Sequence, residues 1–166
     1  MRKDRSILVA MGSQSDWPTM AHTAGMLDDF GVRYETAIIS AHRTPDRLDH
    51  LTTRLSNDEF YVVIAGAGGA AHLAGALAAR TIVPVIGIPI SSHLQGLDSL
   101  LSTVQMPAGV PVATVSIGVA GAKNAALLAL QIVAVNDKAI SDKLVQHRQQ
   151  QSLSIPKVPK TAMAAE

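Results

Sequence analysis

The 166-residue sequence has no cysteine, few aromatic residues and few charges. Without cysteine, disulfides, thiolate nucleophiles and cysteine-ligated zinc sites are excluded. Aromatic residues make up 3% of the chain, too few to build the stacking platforms on which single-stranded nucleic acids are bound. Charged residues make up 16%, and the net charge of +1 leaves no basic footprint. We therefore expect no nucleic-acid partner.

Long apolar runs are missing as well. None approaches the roughly 20 residues that span a bilayer, and the most apolar helical region, residues 122–135, is interrupted by Lys123, Asn124 and Gln131. The short apolar run at residues 7–11 leads to Gly12 and is interpreted as a buried strand rather than a signal peptide. The sequence therefore predicts a cytoplasmic protein without membrane contact. Hydrophobic residues still reach 48%, which implies either a large core or apolar surface buried between subunits. Long alanine- and glycine-rich helical stretches favour burial between subunits, so a homo-oligomer is expected.

Strand-like and helix-like segments alternate along the chain. This alternation predicts a single α/β domain over residues 1–166, a doubly wound, parallel, three-layer sheet whose strands are buried on both faces. Residues 152–166 contain two prolines and are expected to form a tail that is flexible or packed on a neighbour. The predicted strands are residues 7–11, 34–39, 61–65, 83–88 and 111–117; the predicted helices are residues 18–30, 45–55, 71–80 and 97–102, a long helix ending at 135 and a polar helix ending near 151.

Loops rich in glycine or serine follow the first three predicted strands, at residues 12–16, 40–43 and 66–70. Because right-handed crossovers place the carboxyl ends of parallel strands at one edge, these loops are expected to converge. In the first loop, N–H groups at a helix start favour a phosphate, and Asp16 either accepts ribose hydroxyls or only caps the helix. The third loop fits G-x-G-x-x-A but follows the wrong strand and lacks the later acidic residue, so no dinucleotide site is predicted.

The most informative stretch is residues 40–45, Ser-Ala-His-Arg-Thr-Pro. Thr44 is a good helix N-cap and Pro45 suits the first helical position, which places His42 and Arg43 on a short strand-to-helix loop. Histidine exchanges protons near neutral pH and arginine clamps phosphates. The pair indicates proton transfer on a phosphorylated small molecule; the alternative is a structural histidine bonded to a nearby carbonyl.

Other polar side chains have weaker settings. His72 begins an alanine-rich helix, whose positive end favours a neutral ring, and it either orients a carboxylate or caps the helix. Asp98 is interpreted as a helix N-cap, and His93, like the histidines at 22, 50 and 147, as a surface residue. No cluster of histidine and carboxylate residues has metal-ligand spacing, so no metal is expected.

Six segments, in this order along the chain, closely resemble one family. They resemble the N5-carboxyaminoimidazole ribonucleotide mutases of purine biosynthesis, the PurE family, and the match is spread from about residue 7 to residue 135. The segments are residues 11–17 (MGSQSDW), 40–46 (SAHRTPD), 65–73 (AGAGGAAHL), 96–102 (GLDSLLS), 104–107 (VQMP) and 121–128 (GAKNAALL).

The resemblance implies a flavodoxin-like fold assembled as a homo-octamer. It implies an enzyme that moves a carboxyl group from the exocyclic nitrogen to ring carbon four of aminoimidazole ribonucleotide, without ATP, metal or organic cofactor. His42 matches the family's catalytic histidine. The residues implied to bind the ribonucleotide substrate are Ser13 and Arg43 at its phosphate, Asp16 at its ribose, and Ser40, Gly68, Ala70, His72 and Leu73 around its base and carboxylate.

Two departures from the family pattern concern the pocket wall or a subunit contact. The family commonly has Pro and Met where this chain has Ala74 and Ala76, and the loop at residues 91–95 also differs. A carboxylase that uses free carbon dioxide is the nearest alternative function, although segments 98–102 and 105–107 look more like the mutase group. A nucleotide-binding regulator without catalysis is a further alternative.

Overall fold

A computed structural model describes residues 5–159 as one five-stranded sheet with helices on both sides. All strand pairs are parallel and the strand order is β2-β1-β3-β4-β5. The order reverses between β1 and β3, which makes this pair the switch point of a doubly wound sheet. The predicted three-layer parallel fold is therefore confirmed. The strands are β1 (Ser6–Met11), β2 (Tyr34–Ile38), β3 (Phe60–Gly68), β4 (Val85–Ile90) and β5 (Ala113–Thr114).

The helices begin and end at residues whose backbone preferences suit those positions. Pro18 lies in the first turn of α1, and Gly31 ends this helix with a φ of 66°, a left-handed conformation that glycine adopts without strain. The carboxylate of Asp137 caps α6 by accepting the N–H groups of Ala139 and Ile140. A 3-10 turn (Gln14–Asp16) precedes the helices, which are α1 (Trp17–Phe30), α2 (Pro45–Ser56), α3 (Leu73–Ala78), α4 (Leu97–Val104), α5 (Gly118–Ala134) and α6 (Lys138–Ser154).

Each face of the sheet has its own apolar core, because successive strand residues point to opposite faces. On one face, strand residues such as Ile7 and Ile64 pack with α1, α5 and Ile140 of α6. On the other face, strand residues such as Leu8 and Val63 pack with leucines of α2 and α3. This arrangement buries all six residues of β1 and all six of β4, as expected for parallel strands between two helical layers.

Helix α4 turns its polar side, rather than its apolar side, toward the sheet. Ser99 and Thr103 are its buried residues, while Leu97, Leu101 and Val104 are exposed by 53%, 49% and 46%. Its apolar side therefore faces outward and its hydroxyl groups face the sheet. The position is crowded, since a Cβ added to Gly87 of β4 would lie 2.4 Å from Thr103 Cγ2.

Several predicted boundaries differ from the structure. Strand β4 begins after Pro84 and includes Pro89, whereas the sequence interpretation ended the strand at residue 88. Pro89 is tolerated because β5 pairs with β4 only through Ile86 and Gly87, so no ladder bond to β5 is required at Pro89. Strand β5 has two residues instead of seven, and β3 continues through Gly68.

The end of the chain also differs in part. Helix α6 continues to Ser154, so the first three residues of the predicted tail are helical. Residues 155–159 are exposed, and the rest of the predicted tail lies outside the described residues. Its flexibility or packing on a neighbour stays a prediction. Within residues 5–159, no helix is long and apolar enough to cross a membrane.

Candidate active site

A cavity of about 660 Å³ opens at the carboxyl edge of the sheet, beside the switch point between β1 and β3. In open α/β sheets this is the usual place for a ligand. Its wall is built from the loops after β1, β2, β3 and β4. The three glycine- and serine-rich loops therefore converge as predicted, and a fourth loop joins them.

The loop after β1 is closed by its own side chains. Asp16 Oδ2 accepts the N–H of Ser13 at 2.9 Å, and Ser13 Oγ accepts the hydroxyl of Ser15 at 2.9 Å. Asp16 is only 7% exposed, and this burial raises the pKa of its carboxyl group. Hydrogen bonds from the N–H groups of Ser13 and Gly12 and the charge of Arg43 oppose the rise. The loop thus holds a carboxylate and hydroxyls at a fixed position on the cavity wall.

The loop after β2 is a compact turn that presents Arg43. Ser40 N–H donates to Thr44 Oγ1 at 2.9 Å, and the Thr44 hydroxyl donates to the carbonyl of Ser40 at 3.0 Å. Ser40 Oγ accepts both the backbone N–H of Arg43 at 3.1 Å and its Nε–H at 3.3 Å. These bonds hold the start of the guanidinium while its remaining N–H groups stay available for a phosphate.

His42 and His72 meet across the cavity. His42 Nε2 lies 2.8 Å from His72 Nδ1, and the two rings are nearly perpendicular at 80°, with centroids 5.0 Å apart. One ring must donate and the other accept, so the bond exists only while at least one imidazole is neutral. The pair therefore holds a transferable proton between two side chains that both line the cavity.

All nine predicted site residues line this one cavity, although their sequence positions span sixty residues. They are Ser13, Asp16, Ser40, His42, Arg43, Gly68, Ala70, His72 and Leu73. The loop after β4 contributes Ile90, Ser91, Ser92 and His93; the resemblance placed this loop only in general at the pocket wall or a subunit contact, and none of these four was predicted as a site residue. The signal was available, because the carboxyl end of a fourth parallel strand reaches the same edge. His93 is thus exposed, but it lies at the site rather than on an unrelated surface.

Four residues that the sequence analysis considered as helix caps have other roles. Thr44 and Asp16 occupy N-cap positions of α2 and α1, but neither side chain caps its helix, because each closes the preceding loop. Asp98 is not an N-cap: Gly96 occupies that position with a φ of 89°, and the Asp98 carboxylate accepts the hydroxyl of Ser92 at 2.6 Å. Likewise, His72 is at the N-cap of α3 and makes no cap bond with its ring, which contacts His42.

No group of three or more histidine and carboxylate side chains able to hold a metal occurs between residues 5 and 159. The wall of the cavity itself brings together several groups that can act chemically. These are a proton on a histidine pair, a cationic anchor, a buried carboxylate and a wall of backbone from residues 67–70.

The parallel sheet and the cavity at its switch point define a doubly wound α/β protein with a candidate ligand site at the carboxyl edge of the sheet. The sequence model of one family, AIR carboxylase, matches residues 6–154, and the chain belongs to that family.

Three similar curated relatives, from different organisms, bear the same name. The chain is 51% identical to the N5-carboxyaminoimidazole ribonucleotide mutase of Vibrio cholerae over 155 residues, which is 93% of this chain and 96% of the relative. It is 54% identical to the mutase of Bacillus subtilis, covering 85% of this chain and 88% of the relative, and 56% identical to that of Pyrococcus abyssi, covering 85% and 80%.

Solved structures agree with the fold. A crystal structure of Treponema denticola PurE superposes with a TM-score of 0.78 at 30% identity, covering 90% of this chain and 92% of the other. A structure of Treponema denticola PurE2 superposes with a TM-score of 0.81 at 28% identity and the same coverage. The flavodoxin-like interpretation is therefore confirmed.

Proposed function

We propose that this chain is an N5-carboxyaminoimidazole ribonucleotide mutase, an isomerase of purine biosynthesis. The enzyme moves a carboxyl group from the exocyclic nitrogen of the substrate to ring carbon four, giving 4-carboxy-5-aminoimidazole ribonucleotide. The three curated relatives reported above bear this name, are 51% to 56% identical to this chain and align with 85% to 93% of it.

The observation that carries the proposal is the bond of 2.8 Å between His42 and His72 within a cavity that also holds anion-binding groups. A carboxyl shift between nitrogen and carbon needs one proton delivered and one removed, and no redox change. A histidine that can hold a proton and then accept one satisfies both requirements. His42 is therefore our candidate for the catalytic residue.

The remaining assignments follow the chemistry of each wall. Arg43 and Ser13 hold the substrate phosphate, because a guanidinium and a hydroxyl at a helix start suit a dianion. Asp16 accepts hydrogen bonds from the ribose hydroxyls. The base and its carboxylate lie against the side where backbone and small side chains allow close approach, formed by Ser40, Gly68, Ala70, His72 and Leu73.

The proposed reaction has two balanced steps. Protonated His42 first gives its proton to the carbamate nitrogen, the N–C bond breaks with its electron pair passing to nitrogen, and carbon dioxide is released into the cavity. Carbon four of the electron-rich ring then attacks the carbon dioxide, and neutral His42 removes the proton from that carbon. The histidine ends as it began, so the scheme consumes no cofactor, and acid–base catalysis of this type contributes ~10²–10⁴-fold in rate.

The test is to incubate the purified chain with N5-carboxyaminoimidazole ribonucleotide and to measure the carbon-linked product. We expect turnover by the wild type and its loss in His42→Asn, with nucleotide binding and folding retained. His50→Asn is a matched control, since His50 is exposed on α2 and does not line the cavity. Residual activity of His42→Asn above about a tenth of wild type would remove His42 from the central role, because loss of an acid–base group costs ~10²–10⁴-fold.

A carboxylase is the second candidate, because the matching family is described as AIR carboxylase. It would make the same product from aminoimidazole ribonucleotide and free carbon dioxide. Parallel assays with each substrate, the carbamate assay run without added bicarbonate, separate the two activities. A non-catalytic regulator would bind the nucleotide in both assays and form no product.

We also propose a homo-oligomer, with the octamer implied by the family as its size. The outward leucines of α4 support subunit contacts, because an apolar helix face of this kind is seldom left in water. Light scattering should give eight times the mass of one chain, and Leu101→Glu should lower it without unfolding the protein. A monomeric wild type would contradict this assignment. The cytoplasmic location stays a prediction from the sequence.

A further inference from the structure

The loop at residues 68–70 is held from behind by two serines. The backbone N–H of Gly69 donates to Ser99 Oγ at 2.9 Å and lies 3.2 Å from Ser92 Oγ. Gly69 has a φ of 63°, in the left-handed region that favours glycine. Ser92 belongs to the loop after β4 and Ser99 to α4, so two separate segments fix the position of one amide.

Both hydroxyls are oriented as acceptors toward this amide. Ser99 donates its only proton to the carbonyl of Ile90 at 2.7 Å, and Ser92 donates its proton to Asp98 Oδ2 at 2.6 Å. A hydroxyl has one proton and two lone pairs. Because each proton is already used, the lone pairs are left to face the N–H of Gly69.

Asp98 sets the direction of the Ser92 hydroxyl, because an ionised carboxylate can only accept. The hydrogen bond from Ser92 is the main cause that lowers the pKa of Asp98, and the N–H of Ser99 lowers it further. Asp98 also lies in the first turn of α4, where the helix end favours a negative charge. The carboxylate is therefore suited to remain an acceptor across the neutral range.

Backbone hydrogen bonds connect the position of Gly69 to that of His72 in the histidine pair. Ala71 N–H donates to the carbonyl of Gly69 at 2.9 Å, and His72 N–H donates to the carbonyl of Ala70 at 2.8 Å. These successive tight turns leave little freedom between residues 69 and 72. A shift of the Gly69 amide would move both the backbone wall of the cavity and the ring that contacts His42.

We propose that Ser92, Asp98 and Ser99 are positioning residues that hold the 68–70 loop as the wall that retains carbon dioxide between bond breaking and bond making. This inference rests on the proposed mutase function. It assigns to the inward polar face of α4 a role in the fate of the intermediate rather than in binding the nucleotide.

The test follows the carboxyl carbon. N5-carboxyaminoimidazole ribonucleotide labelled with carbon-13 at its carboxyl group is converted in unlabelled bicarbonate, and both the label kept in the product and the aminoimidazole ribonucleotide released are measured. Decay of the substrate without enzyme is subtracted. We expect Ser99→Ala and Asp98→Ala to lower the ratio of product to released nucleotide on the order of tenfold, because a displacement of about 1 Å can cost about a hundredfold in rate. The KM for the nucleotide should change less than twofold.

Two further variants separate positioning from general stability. Asp98→Asn keeps an oxygen that accepts from Ser92, so its product ratio should stay within twofold of wild type. Thr23→Val removes a fully buried hydroxyl that donates to the Ala122 carbonyl at 2.9 Å, as Ser99 donates to Ile90, but it does not touch the cavity. It should leave the ratio unchanged even if the protein becomes less stable.

Each outcome has a defined meaning. A wild type that forms no product overturns the proposed function and this inference with it. An active wild type with unchanged ratios in Ser99→Ala and Asp98→Ala overturns the positioning role alone, as does an Asp98→Asn ratio as low as that of Asp98→Ala. If Ser99→Ala does not fold, Ser92→Ala decides, since this side chain is only half-buried, and an unchanged ratio in the folded variant overturns the proposal.

Discussion

Helices α2 and α4 both begin at the rim of the cavity, but α2 turns its apolar side toward the sheet and α4 its polar side. Helix α2 buries Leu48, Leu51 and Leu55, whereas α4 buries Ser99 and Thr103 and turns its leucines outward. The loop before α2 carries His42 and Arg43, and the loop before α4 carries Ser92 and His93.

The difference separates stabilising the fold from shaping the site. The leucines of α2 contribute the apolar burial that drives folding. Helix α4 buries less apolar surface, because hydroxyl groups face the sheet, and the Ser99 hydroxyl accepts a hydrogen bond from the loop of Gly69. The apolar side of α4 is then left exposed, and it is there that we propose contacts between subunits.

The largest expected effect concerns the apolar sides of the two helices. Leu51→Ala should destabilise the chain by about 2–5 kcal/mol, because it leaves a cavity at a residue only 4% exposed. Leu101 is half-exposed, so Leu101→Ala should lower the free energy of unfolding of one subunit by only a small part of that amount. It should instead weaken the proposed association between subunits. Urea unfolding and light scattering of both variants measure the two quantities. Equal losses of unfolding free energy would break the comparison.

The next effect concerns the loop before α2. Arg43→Ala should raise the KM about 10- to 100-fold, because a hydrogen bond between charged groups contributes about 1.5–3 kcal/mol, while kcat changes little. Arg47→Ala is the control, since Arg47 is exposed one turn further along α2 and outside the cavity. Steady-state kinetics with the carbamate substrate give both constants. An unchanged KM in Arg43→Ala would contradict its phosphate role.

A third prediction sharpens the account of how closely α4 packs. Gly87→Ala places a Cβ 2.4 Å from Thr103 Cγ2 and 3.0 Å from Val112 Cγ1, so the Thr103 side chain or its helix must shift, at a cost of about 1–3 kcal/mol. Thr103→Ser removes the Cγ2 atom and should recover part of this loss in the double variant. A double-mutant cycle by urea unfolding measures the coupling. Purely additive losses would mean that α4 does not press on Gly87.

The smallest expected effect is on how the free energy of unfolding depends on pH, which should differ between two carboxylates at the same edge of the sheet, Asp16 and Asp98. The raised pKa of Asp16 means that the folded chain binds more protons than the unfolded chain above the ordinary value of 3.8, so this residue's contribution to stability falls as pH rises there. The lowered pKa of Asp98 has the opposite sign: its contribution is present above 3.8 and is lost as pH falls below that value.

Unfolding free energies measured across pH should separate them. Asp16→Asn should flatten the decline above 3.8, and Asp98→Asn should flatten the acid loss below it, each relative to wild type. The same change of slope in both variants would contradict the opposite environments assigned to them.

Much of the site was predictable because its position follows from short sequence patterns and from the topology of a parallel sheet. The first three strand ends were recognisable from short apolar runs followed by glycine and serine, and parallel topology then requires their loops to meet. The roles of Thr44, Asp16 and Asp98 were less predictable. Each residue type suits a helix cap, but each side chain found a partner in the adjoining loop.

The sequence by itself determined the alternation of strands and helices and the convergence of the loops, because periodicity and turn preferences act over a few neighbouring residues. The full set of candidate site residues came from the resemblance of six sequence segments to one family. Only the tertiary structure decided that His42 bonds to His72, that the β4 loop completes the cavity and that α4 turns its leucines away from the sheet. An amphipathic pattern defines two faces of a helix, but which of them meets the sheet depends on partners distant in sequence, here Gly69 and Gly87.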